Sequence, residues 1–194
     1  MKYLSIDLEA TGLRQQDLIC EVAIVPFCSE EKSINNNLAK NWIIKTPSFE
    51  ELLPSLDKWV IEHNEQMIRK CFEVGISLGQ WKLEFEQYLE SKVVKDYFKN
   101  EKIVLFGKSM NAIDLPFLNR DLGWDWIRKY FSHRQLDFSS VCYGYMDIGL
   151  LPPGSESGST LMKYLGLGEV AHTALEDAIN TALMYLKTIE LSKK

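Results

Sequence analysis

Residues 2–9 alternate in polarity. Leu4, Ile6 and Leu8 fall on one side of an extended chain, and Ser5, Asp7 and Glu9 fall on the other. A period of two marks a strand whose two faces meet different surroundings. Gly12 breaks the pattern. Leu18–Phe27, rich in branched side chains, predicts a second strand, and Leu38–Lys45 a third. The chain therefore opens as an antiparallel meander. The period then shifts. Phe49–Phe72 and Trp81–Phe98 carry apolar residues at helical spacing. Ile103–Phe106 predicts a short buried strand closed by Gly107. Leu115–Leu122 predicts a helix that Gly123 ends, and a last helix runs from about Ala174 to Leu191. Strands first, then strand and helix in alternation, predict an α/β fold: a mixed sheet, antiparallel meander then parallel strands, flanked by helices.

At 194 residues the chain has the size of one domain. Gly149–Ser159 is a proline-, glycine- and serine-rich loop. It could pass for a linker, but too short a segment follows it to make a second domain, so residues 1–194 are expected to form one. With 46% hydrophobic and 25% charged residues, disorder and a disulfide-stapled miniprotein are excluded. Cys20, Cys28, Cys71 and Cys142 form no metal-binding spacing and are expected to be reduced thiols, which fits a cytoplasmic protein. No uncharged run approaches the roughly 20 residues of a membrane-spanning helix, and Asp7 interrupts the N-terminus before any signal-peptide core. The formal net charge is −5, which taken alone argues against a nucleic-acid binder.

Three small clusters carry chemistry. The first is Asp7-Leu8-Glu9, followed by Ala10-Thr11-Gly12-Leu13. Residues i and i+2 of a strand share a face about 6.6 Å apart. Such carboxylates can straddle a pair of metal ions held about 3.5–4 Å apart; they equally suit a solvated strand face. Their place at a strand end beside a glycine turn favours a site. The second is Asp114, in Asp114-Leu115-Pro116-Phe117-Leu118. Capping alone accounts for an Asp before a helix with Pro in its first turn; because the helix starts soon after a buried strand, the alternative is a carboxylate that points at the same sheet end. The third is His172-Thr173-Ala174-Leu175-Glu176-Asp177. Thr173 and Glu176 fit a capping box, which places His172 and Asp177 where an apolar staple normally sits. Glu176 then has a structural explanation, and His172 and Asp177 do not.

Taken in order, the three clusters resemble the motifs of the DEDD superfamily of 3′–5′ exonucleases, in its histidine-containing (DEDDh) subgroup. That family includes the proofreading subunit of a bacterial replicative polymerase, oligoribonuclease and RNase T. The resemblance runs over nearly the whole chain. Leu56-Asp57-Lys58-Trp59 with His63-Asn64 is loosely similar to oligoribonuclease. One departure stands out. Relatives commonly carry Asn four positions before the second-motif Asp; here Met110 holds that position and Asn111 sits three before.

The resemblance implies an RNase H-like sheet and a metal-dependent 3′–5′ exonuclease. It would hydrolyse single-stranded DNA or RNA from the 3′ end and release nucleoside 5′-monophosphates. By carry-over, Asp7 would bridge two divalent cations, Mg²⁺ or Mn²⁺, with Glu9 and Asp177 on the first and Asp114 on the second. His172 would take the proton from the attacking water. Thr11, Gly12 and Leu13 would pack against the terminal nucleotide, Gly12 permitting close backbone approach. Trp124, Trp126, Tyr130 and Phe131 fit a buried amphipathic helix better than a stacking platform. Lys108, Arg120, Arg128, Lys129 and Arg134 are candidates for phosphate contacts. Two divalent ions at four carboxylates cancel most of the −5, so the charge is compatible with a short grip on a single-stranded 3′ end. A homodimer is possible. The rivals are a catalytically inactive nucleic-acid-binding or interaction module on the same fold, and a nuclease of other polarity or nucleotide phosphatase.

Overall fold

The computed structural model describes residues 1–168 and 173–192. The meander is present. β1 (Lys2–Ala10) pairs antiparallel with β2 (Ile19–Cys28), placing Asp7 opposite Ala23 and Glu9 opposite Glu21, with a register shift after Glu9. β3 (Ser33–Ile34) and β4 (Lys40–Ile43) both pair antiparallel with β2. The expected strand over 38–45 is thus a shorter one, preceded by a two-residue strand with no visible period. On the other side of β1, β5 (Leu105–Gly107) adds parallel, and β6 (Leu136–Asp137) adds parallel to β5. The order β3-β2-β1-β5-β6 puts β1 at the centre of the sheet.

The long helical stretches are broken where local chemistry breaks them. Within 49–72, α1 (Phe49–Leu52) starts from a Ser48–Glu51 capping box, and a single tight turn over Leu53–Ser55, with Pro54 inside it, follows. α2 (Lys58–His63) and α3 (Glu65–Val74) then meet at Asn64, whose φ and ψ of −112° and 5° are not helical. Ser91, with extended backbone, separates α4 (Leu78–Glu90) from α5 (Lys92–Tyr97). α6 (Asp114–Leu122) and α7 (Trp124–Tyr130) join at Gly123, whose φ of +93° suits glycine. α8 (Phe138–Asp147), α9 (Gly158–Leu165) and α10 (Ala174–Leu191) complete the chain.

Helices cover both faces of the sheet. The even face of β1 buries Leu4, Ile6 and Leu8 against Trp81, Phe85 and Leu118. The odd face buries Tyr3 with Phe27, Phe106, Phe138 and Leu161, and the Phe27 and Phe106 rings meet edge to face at 5.0 Å. Burying each such side chain stabilises the fold by about 1.5–3 kcal/mol. Around α7, Ile127 and Phe131 are buried and Trp126 packs on the core, as expected of an amphipathic helix; Trp124 stays exposed. The four cysteines are buried and free. Among the described residues no helix is long and apolar enough to cross a membrane.

α10 sets the geometry of the site. Its Ala174 and Ala178 pack directly on Ala23 and Val25 of β2. Ser5 Oγ donates a hydrogen bond of 2.7 Å to the Ala178 carbonyl. Methyl side chains on both surfaces let the helix lie close to the sheet, beside the odd face that carries Asp7 and Glu9.

Candidate active site

Asp7 and Glu9 project from the end of β1 on the face that meets α10. Asp177 stands in the first turn of α10. Each of the three offers a carboxylate oxygen within 4.8 Å of the others'. Thr173 is the N-cap residue: its Oγ1 accepts from the Glu176 N–H at 3.3 Å and donates to Glu176 Oε2 at 2.7 Å. The hydroxyl half of the expected capping box is therefore formed. It fixes the helix start and with it the height of Asp177 over β1. His172 lies outside the described residues.

Asp114 reaches the same place by another route. It opens α6 as its first residue, but its side chain does not cap the helix. Its Oδ1 accepts the Leu8 backbone N–H at 3.1 Å, between the two acids of β1. Capping, which the local sequence suggests for Asp114, is thus replaced by a contact with a strand far away in the chain. Met110 is fully buried, and a Cβ on Gly107 would stand 3.0 Å from Met110 Cβ. Asn111 is exposed, and its backbone N–H donates to Asp137 Oδ2 at 3.3 Å. The departure in this motif is therefore filled by a core methionine. Asp137, which no motif flagged, also caps α8 through Ser140 N–H.

The acids press on one another. Burial pushes Asp7 well above the usual carboxylate range, and Asp114, Glu9 and Asp177 push it further. Burial raises Glu9 to about 7, helped by Asp177 and Glu21. Asp114 is also pushed up to about 7 by burial; the backbone donors, Leu8 among them, pull the other way, and Asp137 and Glu9 add to the rise. Such a cluster is costly without a compensating charge. Hard oxygen donors at this spacing suit divalent ions of the Mg²⁺ or Mn²⁺ type.

The turn after β1 forms one wall. Thr11 is buried, its N–H donates to the Leu18 carbonyl, and its Oγ1 accepts the Leu18 N–H, both at 2.9 Å. Arg14 donates to Asp17 Oδ2 through its backbone N–H at 2.7 Å and to Oδ1 through Nη2 at 2.9 Å. Asp17 lies so close beneath Gly12 that any Cβ there would stand 2.3 Å from Asp17 Oδ2. Leu13, at the tip, is 74% exposed. With Pro116 and Phe117 of α6 it lines a cavity of about 290 Å³. A second cavity, about 370 Å³, is lined by Asp7 and Asp177 together with Lys108 and the end of the 149–159 loop.

Residues 4–185 match the RNase T exonuclease family. No curated protein sequence matches the chain. Solved structures do. Cell-death related nuclease 4 superposes with a TM-score of 0.70 at 15% identity, covering 98% of this chain and 64% of that one. The chain thus spans less than two thirds of that protein. The nuclease domain of 3′hExo, a DEDDh family member bound to rAMP, superposes at 0.67 and 15% identity, covering 97% and 92%. Exonuclease I of E. coli, in complex with a 5cy-dT13 oligonucleotide, superposes at 0.70 and 15% identity, covering 97% and 40%. The RNase H-like exonuclease fold expected from the motifs is the fold observed.

Proposed function

The chain belongs to the RNase T family of exonucleases, and from that premise we propose that it is a metal-dependent 3′–5′ exonuclease acting on single-stranded DNA or RNA. The observation that carries the reading is the approach of Asp7, Glu9 and Asp177 to within 4.8 Å of one another, where a strand end meets a helix start. The binding of a mononucleotide by 3′hExo and of an oligonucleotide by Exonuclease I supports the same class of ligand.

Asp7, Glu9 and Asp177 would hold one divalent cation, and Asp7 with Asp114 a second. When bound, such ions activate water and stabilise the leaving 3′ oxygen. The chain's own residues do the rest. The Leu8 N–H orients Asp114 through its Oδ1. Thr11, locked by its two bonds to Leu18, holds the Gly12-Leu13 turn against the terminal nucleotide. Leu13 offers an apolar edge to that nucleotide at the mouth of its cavity. His172, five residues before Asp177, is placed by sequence to accept the proton of the attacking water. The product would be a nucleoside 5′-monophosphate.

The test uses 5′-labelled single-stranded DNA and RNA with Mg²⁺, Mn²⁺ or EDTA. Stepwise shortening that needs metal and a free 3′ hydroxyl is expected, and Asp7→Asn is expected to abolish it. His172→Ala is expected to lower turnover while metal-induced stabilisation persists. Binding of the strands without hydrolysis in any metal would instead identify an inactive binding module.

A further inference from the structure

Of the five cations grouped around Asp114 in the sequence, most are spent on other partners. Arg120 donates to Asp121 and to the Gln15 and Asp17 carbonyls. Lys129 pairs with Glu86 at 2.9 Å, and Arg128 lies over the Trp124 ring at 4.3 Å. Only Lys108 lines the cavity that reaches Asp7 and Asp177. Resting on the exonuclease reading, we propose that Lys108, with the hydroxyls of Ser157 and Ser159, binds the strand phosphate immediately 5′ of the scissile one.

Four observations lead there. Asp7 and Asp177 line the same cavity as Lys108, Ser157, Gly158 and Ser159. Among the described residues Lys108 has no carboxylate within ion-pair distance. Glu156, the one acid of the 149–159 loop, does not line the cavity, and its Oε2 is buried without a partner. Ser157 occupies the N-cap position of α9 but does not cap it; its Oγ instead shares a 3.0 Å bond with Ser159 Oγ. That shared bond uses a single proton, so the pair keeps a donor for a further acceptor. The lysine stem lies against the loop, since a Cβ on Gly158 would stand 3.8 Å from Lys108 Cε.

The chemistry selects a phosphate. A strand entering a site built from four carboxylates gains from a cation on the far side of them, and an ammonium is a compact partner for a phosphodiester oxygen. Hydroxyls add donors without rejecting the anion. The polarity comes from the exonuclease reading. With the terminal nucleotide against the Thr11-Gly12-Leu13 turn, the cavity that joins Asp7 and Asp177 to Lys108 takes the chain beyond the scissile bond. Turnover would then favour strands long enough to supply that upstream phosphate.

The full chain, with Mn²⁺, is given single-stranded oligonucleotides that are unmodified or carry one neutral methylphosphonate just 5′ of the scissile linkage. For the wild type the methylphosphonate is expected to lower kcat/KM roughly tenfold, the effect of losing one charge-assisted contact. Lys108→Ala is expected to lose a similar factor on the unmodified strand, mainly in KM, and to be indifferent to the methylphosphonate. Lys108→Arg is expected to recover most of the loss. The salt dependence of binding should become shallower by about 0.7 in log–log slope. A Lys108→Ala enzyme as sensitive to the methylphosphonate as the wild type overturns the assignment. So does a variant that only escapes inhibition by nucleoside monophosphate, because Lys108 would then hold the released product. If Lys108→Ala does not fold, the Ser157→Ala/Ser159→Ala double variant takes its place, and an insensitive wild type overturns the proposal by itself. Failure of the wild type to shorten any strand is a separate result: it removes the exonuclease reading, and this inference with it.

Discussion

The Leu8 backbone N–H donates a 3.1 Å hydrogen bond to Asp114 Oδ1, across 106 residues of chain. This bond ties the start of α6 to the strand that carries Asp7 and Glu9. It also leaves Leu8 without a sheet partner for that N–H, which is available because β5 is only three residues long and its register against β1 covers Leu4 and Ser5 alone. A short neighbouring strand is therefore what admits the second-motif acid to the end of β1.

Replacing Asp114 separates its structural bond from its charge. Asp114→Ala removes the acceptor and leaves a buried N–H unpaired, which should cost about 1–3 kcal/mol. Asp114→Asn keeps an acceptor and removes a carboxylate that burial disfavours. The alanine variant should unfold at lower urea concentration in EDTA, the asparagine variant at the wild-type midpoint or above it, and neither should shorten a strand. Equal destabilisation by the two would show that the Leu8 bond does not hold α6.

Asp114 also shows where sequence reasoning stops. The strand with Asp7 and Glu9 is legible because its period of two and its glycine turn are local, and so is the start of α10 because Thr173 and Glu176 lie three residues apart. The true use of Asp114 depends on β1, which no local rule can see, so its sequence fits a cap equally well. β6 is two residues long and exists only because β5 lies beside it. The breaks at Asn64 and Ser91 interrupt stretches whose apolar spacing continues across them. Lys108 is indistinguishable from Lys129 by sequence, because the carboxylate that occupies Lys129, Glu86, is more than forty residues away.

Gly12 should tolerate no side chain. A Cβ 2.3 Å from Asp17 Oδ2 must displace that carboxylate, which holds Arg14 by two side-chain bonds and a backbone one. Gly12→Ala is expected to cost about 1–3 kcal/mol by overpacking, measured by urea unfolding, and to raise KM in the shortening assay more than it lowers kcat. An unchanged KM would show that the turn does not touch substrate.

The metal-free protein should lose stability as pH rises. Glu9 sits near 4.5 in an unfolded chain and at about 7 in the fold, and Asp114 moves from 3.8 to about 7. Raised carboxyl groups contribute stability that is fully present below the unfolded values and is lost as pH climbs through the folded ones. For Glu9 alone the loss is about 3 kcal/mol between about pH 4 and pH 8. Unfolding midpoints in EDTA should fall over that window, and Glu9→Gln should flatten the fall. Mn²⁺ should stabilise more at pH 8 than at pH 5, since bound metal requires the deprotonated acids. A Glu9→Gln profile as steep as the wild type's would refute the assignment.

The close seat of α10 predicts that Ala178 governs metal binding without touching metal. Ala178 is fully buried against β2, its carbonyl accepts Ser5 Oγ, and Asp177 is its neighbour. Ala178→Leu inserts volume where none is free, so the helix must rise from the sheet and carry Asp177 away from Asp7 and Glu9. The expected cost is about 1–3 kcal/mol in EDTA, together with loss of most of the stabilisation that Mn²⁺ confers. Asp177→Asn should also lose the Mn²⁺ effect, while leaving Ala178 seated on the sheet and relieving repulsion on Asp7 and Glu9. The leucine variant is the one expected to lift the helix. If it kept the full Mn²⁺ increment, the spacing of α10 from the sheet would not be what brings the three acids together.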